Sequence, residues 1–190
     1  PIDFRLRNLL PANTTTGNGC RITSNGTKEC LERTRKASEG DKKRGKLGYG
    51  RGLGLACGFY ISGSAHRIHR SELPQSTVHV KIDMDGGVTV HSMAAEIGQG
   101  SDTMLAQCVA EPMGVNLDRI RVYCQNSDLA PVDLGSYSSR VTFMAGNAAR
   151  RAAEEIRTKL IEAAHRLTGY PREGFVLEDE KVLYGPNPAI

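Results

Sequence analysis

Ala94 to Gln107 read AAEIGQGSDTMLAQ, and the reading of this stretch decides how the rest of the chain is parsed. Its first half brings a carboxylate and an isoleucine into Gly98-Gln99-Gly100. Its second half opens with Ser101 and Asp102 and then repeats Met104, Leu105, Cys108 and Val109 at helical spacing. The pattern predicts a glycine loop feeding a helix start. Glycines let a backbone approach a ligand closely, and the N–H groups of a first helical turn, with the positive end of its dipole, suit an anion or a polar heterocycle. Gln99 adds an amide that donates and accepts at once, as reading a pterin-like or nucleotide edge requires. Glycine turns before helices also serve plain core packing, so this loop by itself leaves both readings open.

Upstream, Val78, Val80, Ile82 and Met84 alternate with polar residues. Val88 and Val90 resume the pattern after Asp85-Gly86-Gly87, which predicts a β-hairpin delivering the chain into the glycine loop. Downstream, Pro112 and Gly114 mark the end of the helix, and Ile120 to Cys124 makes another strand. Asn126 to Ser139 is a long loop ending in Ser136-Tyr137-Ser138-Ser139-Arg140-Val141-Thr142. This runs into a second helix from about Phe143 to Leu167, with Ile156, Leu160, Ala163 and Leu167 as its inner stripe. Phe175 to Leu177 and Val182 to Tyr184 form a closing hairpin.

The order is β-β-α-β-α-β-β, an α+β fold with two helices on a mixed sheet, over residues 76–190. Residues 1–75 read as an extended basic segment. It holds an alternating Pro1 to Leu10, a short helix from about Thr27 to Ala37, a charged stretch Ser38 to Lys46, and a glycine-rich buried strand within Tyr49 to Gly63.

Charge is unevenly spread: residues 1–70 carry 14 Lys/Arg against 5 Asp/Glu, and residues 71–190 carry 11 against 16. The basic arm lacks interleaved aromatics and any zinc or RRM motif, which argues against nucleic acid and for a solvated segment or one lying on an acidic neighbour. No apolar run approaches the roughly 20 residues of a membrane helix, there is no signal peptide, and a start at Pro1 suggests an excised portion of a longer chain. Five cysteines without a CxxC exclude zinc and iron–sulfur patterns and read as free thiols of the reducing cytoplasm. His66 and His69, with no third ligand in spacing, read as solvated. No metal ligand is assigned.

Glu96 to Thr103, Gly114 to Val122 and Asp133 to Ala149 together resemble the molybdenum-binding subunit of the xanthine oxidase and aldehyde oxidase family. SYSSRVTFMAGNA is nearest in wording to the molybdenum subunit of 4-hydroxybenzoyl-CoA reductase. LRNLLP, the CLE around Cys30 and GRGLGLA fit the same order, so the resemblance runs over nearly the whole chain. It implies a cofactor of molybdenum and molybdopterin, bare or as the cytosine dinucleotide. Gly98, Gln99 and Gly100 would close on the pterin or its phosphate, and Ser138, Ser139, Arg140 and Thr142 would stand at the molybdenum end or the phosphates. It also implies an FAD-binding subunit, a [2Fe–2S] subunit and the remaining part of the molybdenum subunit as partners. The implied reaction is reductive dehydroxylation of an aromatic CoA thioester; the alternatives are hydroxylation of an aldehyde or heterocycle, or a non-catalytic anion-binding module. The family's base is a glutamate near the C-terminal end of the subunit, which no residue here matches, so no catalytic residue is assigned and Glu96 is set aside.

Overall fold

The computed structural model describes residues 1–63, 72, 75–124, 126–185 and 187–188. They fall into two compact units, Pro1–Tyr60 and Ile61–Ile190. His66 and His69 lie outside the described residues.

The first unit is built from helices α1 (Ile2–Arg7), α2 (Thr27–Ser38) and α3 (Gly40–Lys43), and a minimal antiparallel ladder, β1 (Thr14–Thr15) with β2 (Arg21–Ile22). α2 follows the helical reading closely and turns into α3 at Glu39, whose φ is 52°. Pro1 to Leu10 alternates like a strand, yet Ile2–Arg7 is helical, because a short segment with no strand to pair satisfies its backbone locally. The expected strand within Tyr49 to Gly63 is absent: residues 51–62 hold no regular element, and Leu53, Phe59 and Tyr60 are exposed. Its own unit holds it only in part, with Arg5 donating to Leu55 O at 2.9 Å. Arg35 ties the helices together, donating to Asp3 at 3.0 Å and Asp41 at 2.5 Å.

The second unit carries the expected order. β3 (Val78–Ile82) and β4 (Val88–Ser92) form the hairpin, antiparallel with Val80 opposite Val90, and the turn closes through Asp83 N–H to Gly87 O at 2.8 Å. α4 (Ser101–Met113) then crosses over so that β5 (Ile120–Cys124) lies parallel to β4, Val88 beside Ile120 and Ser92 beside Cys124. A parallel neighbour needs such a crossover, and the helix buries its apolar side on the sheet it has left. Val88 and Val90 on the central strand pack with Leu105 and Val109 of α4 and with the small residues of α5 (Val141–Thr168).

α5 keeps only part of its expected face, since Ile156 packs against the core while Ala163 and Leu167 do not. The buried stripe is Ala145, Gly146, Ala149 and Ala153, whereas Leu167 is 76% exposed. Small residues win because the helices cross closely: a Cβ at Gly146 would sit 3.2 Å from Met104 sulfur and 3.3 Å from Cys108 sulfur. The expected single sheet is also divided. β6 (Phe175–Glu178), β7 (Lys181–Tyr184) and β8 (Asn187–Pro188) make a separate antiparallel sheet. Its hairpin turn, Asp179-Glu180, docks on the end of α4, with Glu180 N–H to Gly114 O at 2.9 Å, instead of extending the first sheet. Among the described residues no helix is long and apolar enough to cross a membrane.

Gly114 takes φ 62°, and a Cβ there would fall 2.2 Å from Leu177 O. Left-handed strain of about 1–2 kcal/mol and overpacking against backbone of about 1–3 kcal/mol then add. Gly114→Ala is expected to lower unfolding free energy by several kcal/mol in urea titrations, while Gly169→Ala, in open space, costs only the strain.

Candidate functional site

The glycine loop leaves β4 at Ser92, whose hydroxyl accepts Ala94 N–H at 3.1 Å, and turns at Gly98 (φ 97°) and Gly100 (φ 80°) before α4 begins. Left-handed glycines allow successive N–H groups to face one point. That point holds a carboxylate of the chain itself. Glu96 Oε1 accepts Gly98 N–H at 2.7 Å and Gly100 N–H at 3.1 Å; Oε2 accepts Asp102 N–H and the Ser101 hydroxyl, both at 3.2 Å. Backbone N–H donation, from Gly100 and Asp102 above all, holds the Glu96 carboxyl at a pKa of about 2. The N–H groups of Gly98, Gly100 and Asp102, expected to meet an anion, are therefore already committed.

Gln99 folds back on its loop while staying exposed: its Oε1 accepts Ile97 N–H at 2.7 Å, and its Nε2 donates to Ala95 O at 2.9 Å and reaches Ser136 Oγ at 3.5 Å. The Ser136 hydroxyl also donates to Ala95 O, at 2.6 Å. The two loops that sequence reading singled out thus converge on one carbonyl.

The second loop stands on a buried cation. The Arg140 and Asp133 side chains are both fully buried, 2.7 Å apart, and Arg140 also donates to Gly135 O, Gln75 O and Ser76 Oγ at 2.9–3.0 Å. Tyr137 lies over the guanidinium, 5.5 Å from its ring centre. Ser138 and Ser139 both take left-handed φ, 51° and 50°, a conformation that L side chains adopt at a cost and that persists where surroundings impose it. Here the Ser138 hydroxyl donates to Ile61 O, and Ser138 O accepts Gly63 N–H. The structure therefore turns Ser138 and Arg140 inward as supports and leaves Ser139 and Thr142 exposed.

Three partners lay outside the sequence reading. Asp133 and Ser136 were plain loop residues, and Glu96, set aside as a base, organises the first loop. Its signal was available, since a carboxylate two and four residues before two glycines can cap both. At the end of β5, burial and the carboxyl of Asp102 push the Cys124 thiol up to about 12, which removes it as a nucleophile. Among the described residues no group of His, Cys, Asp or Glu could hold a metal ion.

The donor set fits a neutral polar edge rather than a bare anion. Space is open beside Gly98, Gly100 and Gly135, where an added Cβ would meet nothing within 4 Å. The exposed amide of Gln99 stands among them, and the only cation in either loop is the committed Arg140. An open glycine-lined face with an amide at its centre matches the hydrogen-bonding edge of a pterin.

The family described as Molybdopterin cofactor-binding domain matches residues 26–188, and the chain belongs to it. It is 37% identical to the putative xanthine dehydrogenase molybdenum-binding subunit XdhA of Escherichia coli (strain K12), over 86% of this chain and 22% of that one. It is 28% identical to the aldehyde oxidoreductase molybdenum-binding subunit PaoC of Escherichia coli O157:H7, over 100% of this chain and 25% of that one. Among solved structures, quinoline 2-oxidoreductase from Pseudomonas putida 86 superposes with a TM-score of 0.60 at 24% identity, covering 98% of this chain and 25% of that chain. The chain spans about a fifth to a quarter of the length of these relatives.

Two measurements test the site's construction. Removing one partner of a buried ion pair costs about 3–5 kcal/mol, so Arg140→Met is expected to lower unfolding free energy by that amount in denaturant titrations. The Glu96 carboxyl lies below its unfolded value, so its stabilisation is present above the ordinary carboxylate range and disappears as pH falls toward about 2. Unfolding curves of wild type and Glu96→Gln are expected to differ at neutral pH and to converge near pH 2.

Proposed function

We propose that this chain is the molybdopterin-holding portion of a molybdenum hydroxylase-type oxidoreductase. The observation that carries the reading is the meeting of the glycine loop and the Ser-Arg loop at Ala95 O, in a chain of the molybdopterin cofactor-binding family. In this reading Gly98 and Gly100 give the cofactor close approach to backbone, and Gln99 hydrogen-bonds its pterin edge. The exposed Ser139 and Thr142 supply hydroxyls at the second loop, while Ser138 and Arg140 fix the turn that presents them. When bound, the group supplies metal-centred redox chemistry, and the chain contributes orientation and hydrogen bonding.

The whole subunit is proposed to work with an FAD-binding subunit and a [2Fe–2S] subunit in the cytoplasm, with the cofactor as bare molybdopterin or its cytosine dinucleotide. Relatives named for xanthine, aldehyde and quinoline substrates favour hydroxylation of an aldehyde or N-heterocycle. The reductase reading, with an aromatic CoA thioester as substrate, rests on the wording of Ser136 to Ala148 alone.

The test is molybdenum analysis with pterin fluorescence after oxidation on the full-length protein purified with its partners. Wild type is expected to carry both, and Gln99→Ala to retain about tenfold less or lower still with circular dichroism unchanged. Turnover of aldehydes or N-heterocycles supports the hydroxylase reading; turnover confined to an aromatic CoA thioester replaces it with the reductase. Wild-type protein free of molybdenum, with a salt-sensitive shift on RNA or DNA, would move the basic arm and a non-catalytic binding role to the front.

A further inference from the structure

A convergence of N–H groups at a helix start usually awaits an external anion. In this chain the position is filled from two residues upstream. Each oxygen of Glu96 accepts two hydrogen bonds, from Gly98 and Gly100 on one side and from Asp102 and Ser101 on the other. Those four donors span the whole turn in which Gln99 stands. The Gln99 side chain is in turn placed by Ile97 N–H and Ala95 O within the same turn.

We infer that Glu96 is a positioning residue for the cofactor: a built-in anion that fixes the Gly98–Gly100 turn, aims Gln99, and makes this loop select an uncharged polar edge over a phosphate. The inference rests on the molybdopterin reading above and extends it to the chemistry that the loop accepts. A carboxylate in the nest offsets the positive end of α4 and occupies the Gly98, Gly100 and Asp102 N–H groups, so an anionic group brought to the loop meets a resident negative charge. Neither near relative of Glu can replace it. A glutamine presents an NH2 group to two N–H donors on one side, and an aspartate is one methylene short of reaching all four.

The experiment uses the full-length protein with its partner subunits and follows loss of molybdenum and pterin during prolonged buffer exchange for wild type, Glu96→Ala and Glu96→Gln. Glu96→Ala is expected to lose the cofactor about tenfold faster or more. Excess acetate should refill the vacated nest and slow that loss toward wild type, while chloride at equal ionic strength does not. Amide exchange at Gly98, Gly100 and Asp102 should rise in Glu96→Ala and fall again with acetate. If Glu96→Ala fails to fold, Glu96→Gln decides, with faster cofactor loss expected at unchanged circular dichroism. Retention at the wild-type rate in the folded variants, or a loss that acetate and chloride affect equally, overturns the inference while leaving the molybdopterin reading intact. Wild-type protein without molybdopterin overturns both, so the two failures are distinguishable.

Discussion

The buried ion pair between Arg140 and Asp133 is the constraint on which the second unit's geometry depends. A guanidinium without solvent requires acceptors, and this one collects them from the loop before α5 and from Gln75 and Ser76 just before β3. It therefore ties the start of the sheet to the start of the long helix. Desolvation consumes much of what such a pair gains in Coulomb energy, so specificity of arrangement is the better account of its presence than raw stability. The arrangement obtained is the left-handed pair Ser138-Ser139, which isolated chain would abandon. Arg140 Nε and Asp133 Oδ2 remain buried without partners, a polar cost borne next to the turn that it holds in place.

The glycine loop solves a similar problem by different means. It has no cation, and its conformation comes from one carboxylate gathering the donors that left-handed glycines expose. Both loops are thus stiffened by a charge, a fully buried guanidinium in one and a half-buried carboxylate in the other, while glycine backbone, an amide and a hydroxyl lie exposed. In the proposed function, such a surface recognises shape and hydrogen-bonding pattern rather than charge.

Much of this was legible in the sequence because it rests on local pattern. The alternation of Val78 to Val90 gave the hairpin, Gly100 and Gly114 bracketed α4, and Ile120 to Cys124 gave β5. The misreadings have a common cause in contacts distant along the chain. Arg140 looks like an anion ligand when only its neighbours Ser138 and Ser139 are considered; its acceptors at Gln75 and Ser76 lie 65 and 64 residues away. The closing hairpin looks like an added strand pair until Glu180 is seen to bond Gly114. The stripe on α5 was sought among large apolar residues, and close helix crossing at Gly146 required small ones. Nothing in the alternation of Leu53, Leu55 and Phe59 reveals that no strand of their own unit lies beside them.

α5 is 28 residues long, which at 1.5 Å per residue makes it about 42 Å from end to end. It starts at the strained serine turn and finishes, past Gly169, at the second sheet. Loops absorb insertions by bulging, but one residue added inside a helix rotates everything beyond it by about 100°. α5 consequently cannot vary in length by single residues without turning either the serine pair or the distal sheet away from its present facing. It acts as the ruler that keeps the two ends of the unit in phase.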